Sequence, residues 1–200
     1  MPRRRTKLFK VERPEQIAAL ASPVRQEIVN ATIAIGPCSV AELAELLGRA
    51  QDSLYYHVRK LVRLGLLVER GERGAGVRRE ALFDAPSRYM GIAYDPRDKE
   101  SSARVVASVS AMLRLTQRDL KRALESGHTL GRGKRRRLSA GRLKGWLTAS
   151  ELEEVNRHLD RVREIFVESE PSRGARLQAV TFASTPVPPS PRAPLPGRGS

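Results

Sequence analysis

The chain has 200 residues, 40% of them hydrophobic and 30% charged, a balance that fits one or two globular domains and not a disordered or membrane-like chain. Its formal net charge of +15 points to a polyanionic partner, nucleic acid above all. A single cysteine excludes an internal disulfide and a cysteine-rich zinc site, and no apolar run approaches the roughly 18 residues of a membrane helix, so a soluble cytoplasmic protein is expected.

The charge is unevenly placed. Residues 1–13 carry six basic side chains against one acidic, 14–91 ten against nine, and 92–126 seven against five. Residues 127–144 carry seven and none, 145–170 three against seven, and 171–200 four and none. The excess therefore lies in an arm, a linker and a tail, where it adds solubility or sequence-independent attraction to phosphates.

In chain order, PRRRTKLFK marks 1–13 as a basic disordered arm. A short helix follows, with Pro14 suited to its first turn and Ile17 and Leu20 at helical spacing. Ser22 and Pro23 open a second helix, whose apolar residues run from Val24 and Ile28 to Ile35 before Gly36 and Pro37 end it. Ser39 and Glu42 form a capping box for a third, with Val40, Leu43, Leu46 and Leu47 as its apolar face and Gly48 as a left-handed stop. After only GRAQ, the stretch QDSLYYHVRKLVRLG repeats Leu54, Val58, Leu61 and Leu64 at helical spacing until Gly65. Two short helices joined by a tight glycine-containing turn make a helix-turn-helix. Next, LLVER and VRREALF, separated by GERGAG, read as a β-hairpin, and the whole of 14–91 then has the element order of a winged helix.

Residues 92–126 hold a long helical pattern with a seam at Val106, Val109, Leu113, Thr116, Leu120 and Ala123. Residues 127–146 are a basic flexible linker, and 147–170 form a last helix with a Thr148–Glu151 capping box and a second seam at Leu152, Val155, Leu159, Val162 and Phe166. Such seams want helical partners, within the chain or across a dimer, and a homodimer is the expectation. Residues 171–185, with Leu177, Ala179 and Phe182, read as an edge strand, and 186–200 as a Pro-rich disordered tail. The fold class expected is mainly α, with a small β-hairpin wing and C-terminal accessory or dimerisation helices.

Rotating the fourth helix at 100° per residue with Leu54 inward puts Val58 and Leu61 inward too. Tyr56, Arg59 and Arg63 then point outward with Lys60 beside them, and Tyr55 and His57 lie on the flanks. That face alone fits a solvated surface as well as a DNA contact. Its position as the second helix of a helix-turn-helix favours DNA, because that helix enters the major groove N-terminal end first. Gln51 and Ser53 become candidates for base edges and Arg59 and Arg63 for phosphates, and Asp52, Tyr55, Tyr56 and Lys60 complete the expected DNA-binding set on this helix. In the wing, Arg73, Arg78 and Arg79 are placed to reach the backbone or minor groove, although Glu72 and Glu80 interleave with them. No nucleophile or carboxylate is spaced to serve His57, so an enzyme is not expected. Cys38, at a helix start, reads as a small buried residue more readily than as an activated thiol.

The stretch from Ser22 to Arg70 resembles the winged helix-turn-helix of ArsR-type bacterial transcriptional regulators. Ser22, Pro23 and Arg25 match the opening of that family's second helix, His57 and Val58 the middle of its recognition helix, and Leu61, Gly65, Leu66 and Leu67 its close. The match covers roughly 15–83, and LKGWLTASELEEVNRHLDRV is similar to the accessory helix of some members. The resemblance implies a dimeric repressor or activator on an operator, often released by a metal or small molecule. Two departures stand out. Ala50 occupies the place of the usual Ser or Thr, so that Asp52 or Ser53 would cap the helix instead, and one cysteine with scattered His57, His128 and His158 makes no ligand set. No metal and no cofactor are expected. The expected partner is double-stranded DNA, with a small-molecule effector left open. The alternatives are a sequence-tolerant architectural nucleic-acid binder and a winged-helix module that binds protein.

Overall fold

A computed structural model describes residues 7–74, 79–127 and 131–187. The elements in order are β1 (Phe9–Val11), α1 (Pro14–Leu20), α2 (Pro23–Ile35), α3 (Val40–Leu47), α4 (Gln51–Arg63), β2 (Val68–Arg73), β3 (Glu80–Asp84), β4 (Met90–Ile92), α5 (Lys99–Glu125) and α6 (Ala149–Glu168). Pro14 and Pro23 each occupy a first helical turn, where the missing N–H has no bond to lose. Ser39 and Glu42 close the capping box of α3: the Glu42 N–H donates to Ser39 Oγ at 3.3 Å and the Ser39 N–H to Glu42 Oε2 at 2.8 Å.

Glycines in the left-handed region end both helices of the central pair. Gly48 (φ +61°) turns the chain so that the Arg49 N–H returns to the Ala44 carbonyl at 3.0 Å. Gly65 (φ +69°) does the same after α4, where its own N–H reaches the Val62 carbonyl and the Leu66 N–H reaches that of Leu61, both at 2.9 Å. Leu61 and Leu66 are then brought together, fully buried, in a core with Ile17, Ile28, Leu43, Leu54, Val58 and Leu67. The far end of α4 is also held from outside: the Leu64 carbonyl accepts from Gln16 Nε2 at 2.8 Å and from the Arg13 guanidinium.

Antiparallel β2 and β3 form the hairpin that follows. Glu69 pairs with Phe83 and Glu72 with Ala81, so β2 carries one extra residue there, a bulge that Gly71 at φ +94° accommodates. β2 continues to Arg73, so the first three residues of the expected GERGAG loop are strand; the rest of the tip, 75–78 with Arg78, lies outside the described residues. Cys38 adds a one-residue third strand, exchanging bonds of 2.9 and 2.8 Å with Phe83.

Three expectations are corrected. Residues 9–11 are no disordered arm: β1 pairs in parallel with β4, Phe9 opposite Met90 and Val11 opposite Ile92, and Val11 is buried in the core. The remaining arm residues 1–6 lie outside the described residues, as do His128 and 188–200. Residues 171–185 contain no strand. Their side chains bond across to the helices instead: the hydroxyls of Thr181 and Thr116 meet at 2.6 Å, and Phe182 lies 4.8 Å beneath the Arg163 guanidinium. Third, α5 packs on α1 and α2 through Ser101, Ser108, Ala111 and Leu115, not through the expected seam. That seam lies roughly 125° around the helix at 100° per residue, and Val106 and Leu113 are 65% and 52% exposed. α6 buries no residue, so Leu152 and Val155 are exposed and Leu159 and Val162 half-buried.

Candidate nucleic-acid interface

Everything on the inner side of α4 is core and everything on its outer side is polar or aromatic. Leu54, Val58 and Leu61 are sealed against α2 and α3, whereas Gln51, Asp52, Ser53, Tyr55, Tyr56, Arg59 and Arg63 are exposed and Lys60 is half-buried. Tyr56, Arg59, Lys60 and Arg63 line a shallow groove on this outer face. Three cations and a phenol along one groove make a surface that bonds phosphate oxygens and base edges readily.

The start of the helix is not displaced by Ala50. Ala50 is extended (ψ 133°) and gives no side-chain cap, yet α4 begins at Gln51. Neither Asp52 nor Ser53 caps in its place, since the Ser53 hydroxyl donates back to the Ala50 carbonyl at 2.7 Å. Gln51 Nε2 donates to the Tyr55 hydroxyl at 2.9 Å, a bond along one helix ridge that holds the amide at the N-terminal end of α4.

His57 stands against the flank, its ring edge-on to Tyr56 with centroids 5.4 Å apart. Burial first, and then the charges of Arg25, Arg49 and Lys60, hold its pKa below the ordinary value of 6.5. The ring is therefore neutral near pH 7 and contributes no charge to the face. Two of those neighbours were not among the expected contacts. Arg25, at the start of α2, donates from Nε to the Ala19 carbonyl at 2.7 Å, and Arg49 sits in the turn before α4. Both bring positive charge to the side of the helix-turn-helix pair that carries His57. A basic residue inside the turn was the signal for Arg49.

Two of the expected wing arginines, Arg73 and Arg79, are less free than expected. Arg73 reaches across to Glu42 of α3 at 2.7 Å, and Arg79 lies 3.7 Å from Glu72 within the hairpin. Both pairs are largely exposed, the kind that contributes little to stability and exchanges readily for a phosphate. Among the described residues no group of His, Cys, Asp and Glu is placed to hold a metal ion, and no helix is long and apolar enough to cross a membrane.

A family model described as a helix-turn-helix domain matches residues 20–70, from the end of α1 through α4 to the first half of β2. This chain carries a helix-turn-helix domain. The match spans α4 and the turn before it, and such a domain suggests a DNA-binding regulator. No curated protein matches the chain.

Cys38 lies inside this helix-turn-helix domain and is structural. Burial pushes its thiol up to about 11, against the lowering that a helix start would bring, and the side chain is 2% exposed. Near neutral pH a thiol-alkylating reagent is expected to leave the native protein unmodified and to label Cys38 fully in denaturant. Rapid labelling of the folded chain, read by mass spectrometry, would contradict this.

Proposed function

We propose that the protein is a sequence-specific DNA-binding transcriptional regulator of the ArsR type, a repressor or activator acting as a homodimer on a pseudo-palindromic operator. The observation that carries the reading is the outer face of α4, where Tyr56, Arg59, Lys60 and Arg63 stand together on a helix whose other side is anchored in the core. Gln51 and Ser53 lead into the major groove, the arginines and Lys60 hold phosphates, and the wing lies against the adjoining backbone. The protein performs no catalysis in this reading; it occludes or recruits at a promoter.

The homodimer rests on apolar rows that this chain leaves uncovered, Val106, Leu113 and Leu120 on α5 and Leu152 and Val155 on α6. Leu113→Asp with Leu120→Asp is expected to turn a dimer into a folded monomer in analytical ultracentrifugation. A wild-type chain that sediments as a monomer at all concentrations would remove the dimer.

Selection of bound sites from a random duplex pool, followed by a salt titration on the recovered sequence, tests the function. One motif with two half-sites about a helical turn apart, roughly 34 Å, is expected. A second reading draws on the exposed basic residues between Arg132 and Lys144: a pool that returns no motif, with a steep salt slope, would make the protein a sequence-tolerant binder.

A further inference from the structure

The acidic group in the helix-turn-helix domain that is most removed from solvent joins it to the accessory helix. Glu27, in the middle of the first turns of α2, is 8% exposed, and each of its carboxylate oxygens takes a different arginine. Oε2 accepts from Arg49 at 3.2 Å (Nε) and 3.0 Å (Nη2), and Oε1 faces Arg118 Nη2 at 2.5 Å. Arg118 is on α5, 91 residues away in sequence, and is steadied there by Asp119, whose Oδ1 accepts from its Nη2 at 2.6 Å and from its Nε at 3.1 Å. The residue before Glu27 repeats the tie: Gln26 Nε2 donates to the Ser108 carbonyl at 2.9 Å and to its hydroxyl at 3.0 Å. Two successive residues of α2 are thus bonded to α5 at sites three turns apart on one side of that helix.

What Arg49 holds makes this more than a packing contact. It lies between Gly48, which ends α3, and Ala50, which starts α4 without a side-chain cap. The first turn of α4, where Gln51 and Ser53 are, therefore takes its place from the turn itself, and the side chain of Arg49 fastens that turn to Glu27. We propose that Arg118 is a positioning residue of the DNA-reading helix: through Glu27 it fixes Arg49, and with Arg49 the end of α4 that meets the bases. The inference rests on the DNA-binding reading for its consequence, but not for the coupling itself. Without Arg118, Glu27 keeps one partner and a buried oxygen without one, so the carboxylate turns toward Arg49 and the turn follows. Hydrogen bonds to base edges weaken steeply beyond about 3.2 Å, so a displacement of a few tenths of an ångström at Gln51 is felt in base recognition and hardly at all in phosphate attraction. Because α5 also bears the uncovered apolar row, packing of any partner on it acts on the helix that holds Arg118.

The test uses the full chain as wild type, Arg118→Met, Arg118→Lys and Arg49→Met, together with the Arg49→Met/Arg118→Met double variant. Three quantities are read: affinity for the selected operator, the slope of log affinity against log salt, and amide hydrogen exchange of residues 48–53 without DNA. Arg118→Met is expected to weaken operator binding about tenfold, and to speed exchange in the turn by a similar factor, with the salt slope and the affinity for random duplex unchanged. Arg118→Lys keeps the charge but loses the planar fork, so it recovers part of both effects and provides the same readings should the Met variant unfold. The double variant is expected to be no worse than Arg49→Met, since both act on one carboxylate. Exchange in the turn that stays within twofold of wild type in both Arg118 variants would overturn the proposal, as would a salt slope reduced by about one, which marks a direct phosphate contact. Should wild type bind no DNA, the functional reading fails, and the exchange measurement alone decides whether Arg118 holds the turn.

Discussion

Leu61→Ala is expected to lower the stability of the helix-turn-helix domain by about 3 kcal/mol, within the usual range for a fully buried leucine, and to lower its thermal midpoint by roughly 10–20 °C. Leu61 is completely buried, and its carbonyl receives the Leu66 N–H that starts the chain back toward the wing. Truncation leaves a cavity in the buried cluster that Leu61 shares with Leu54, Val58 and Leu66. Against a total of about 5–15 kcal/mol for a domain, that loss is large enough to leave a measurable unfolded fraction on mild heating. Tyr56→Ala, on the same helix but on its outer face, is expected to change stability by less than about 0.5 kcal/mol. Thermal melts followed by circular dichroism separate the two. A Leu61→Ala protein that melts within a few degrees of wild type would mean that α4 is not seated in the core as described.

The contrast between those two residues is also the part of the fold most legible in the sequence. Residues with a local physical signature are recovered: Ser39 and Glu42 cap α3, Gly48 and Gly65 end α3 and α4, and the spacing of Leu54, Val58 and Leu61 divides α4 into an inner and an outer side. Features that depend on distant partners are not. Phe9 to Val11 form a strand only because Met90 to Ile92 lie alongside, and the arginines around them disguise an apolar segment as a basic tail. Cys38 pairs with Phe83 as a single residue, too short for any periodicity to mark. On α5 the periodic search selects large apolar residues, whereas close packing on α1 and α2 uses Ser101, Ser108 and Ala111, which have little hydrophobic signal because their value is their small size. Glu27 reads as one more charge on a helix; nothing local shows that Arg49 and Arg118 converge on it. The outer residues of α4 were legible for the same reason as its core. The engagement of Arg73 by Glu42 was not, because it joins the wing to α3, and no local pattern shows which carboxylate a distant arginine meets.

Charge reversal on the outer face, Arg59→Glu with Arg63→Glu, is expected to weaken operator binding about a hundredfold or more, since taking one arginine away from DNA costs about 1–3 kcal/mol and the new carboxylates add repulsion. The two arginines are four residues apart, on one ridge of α4 beside Lys60, and both are exposed. Their replacement leaves Leu54, Val58 and Leu61 in place, so the fold is expected to survive with a destabilisation of about 1 kcal/mol at most, from a negative charge in the last turn of the helix. Fluorescence anisotropy across a range of salt then separates three outcomes. If both arginines hold phosphates, the slope of log affinity against log salt falls by about two and preference for the operator over random duplex survives. If one reads a base, the preference collapses while the slope falls by about one. Affinity and slope that both match wild type would take the nucleic acid away from α4, and would leave its aromatic and cationic face to a protein partner.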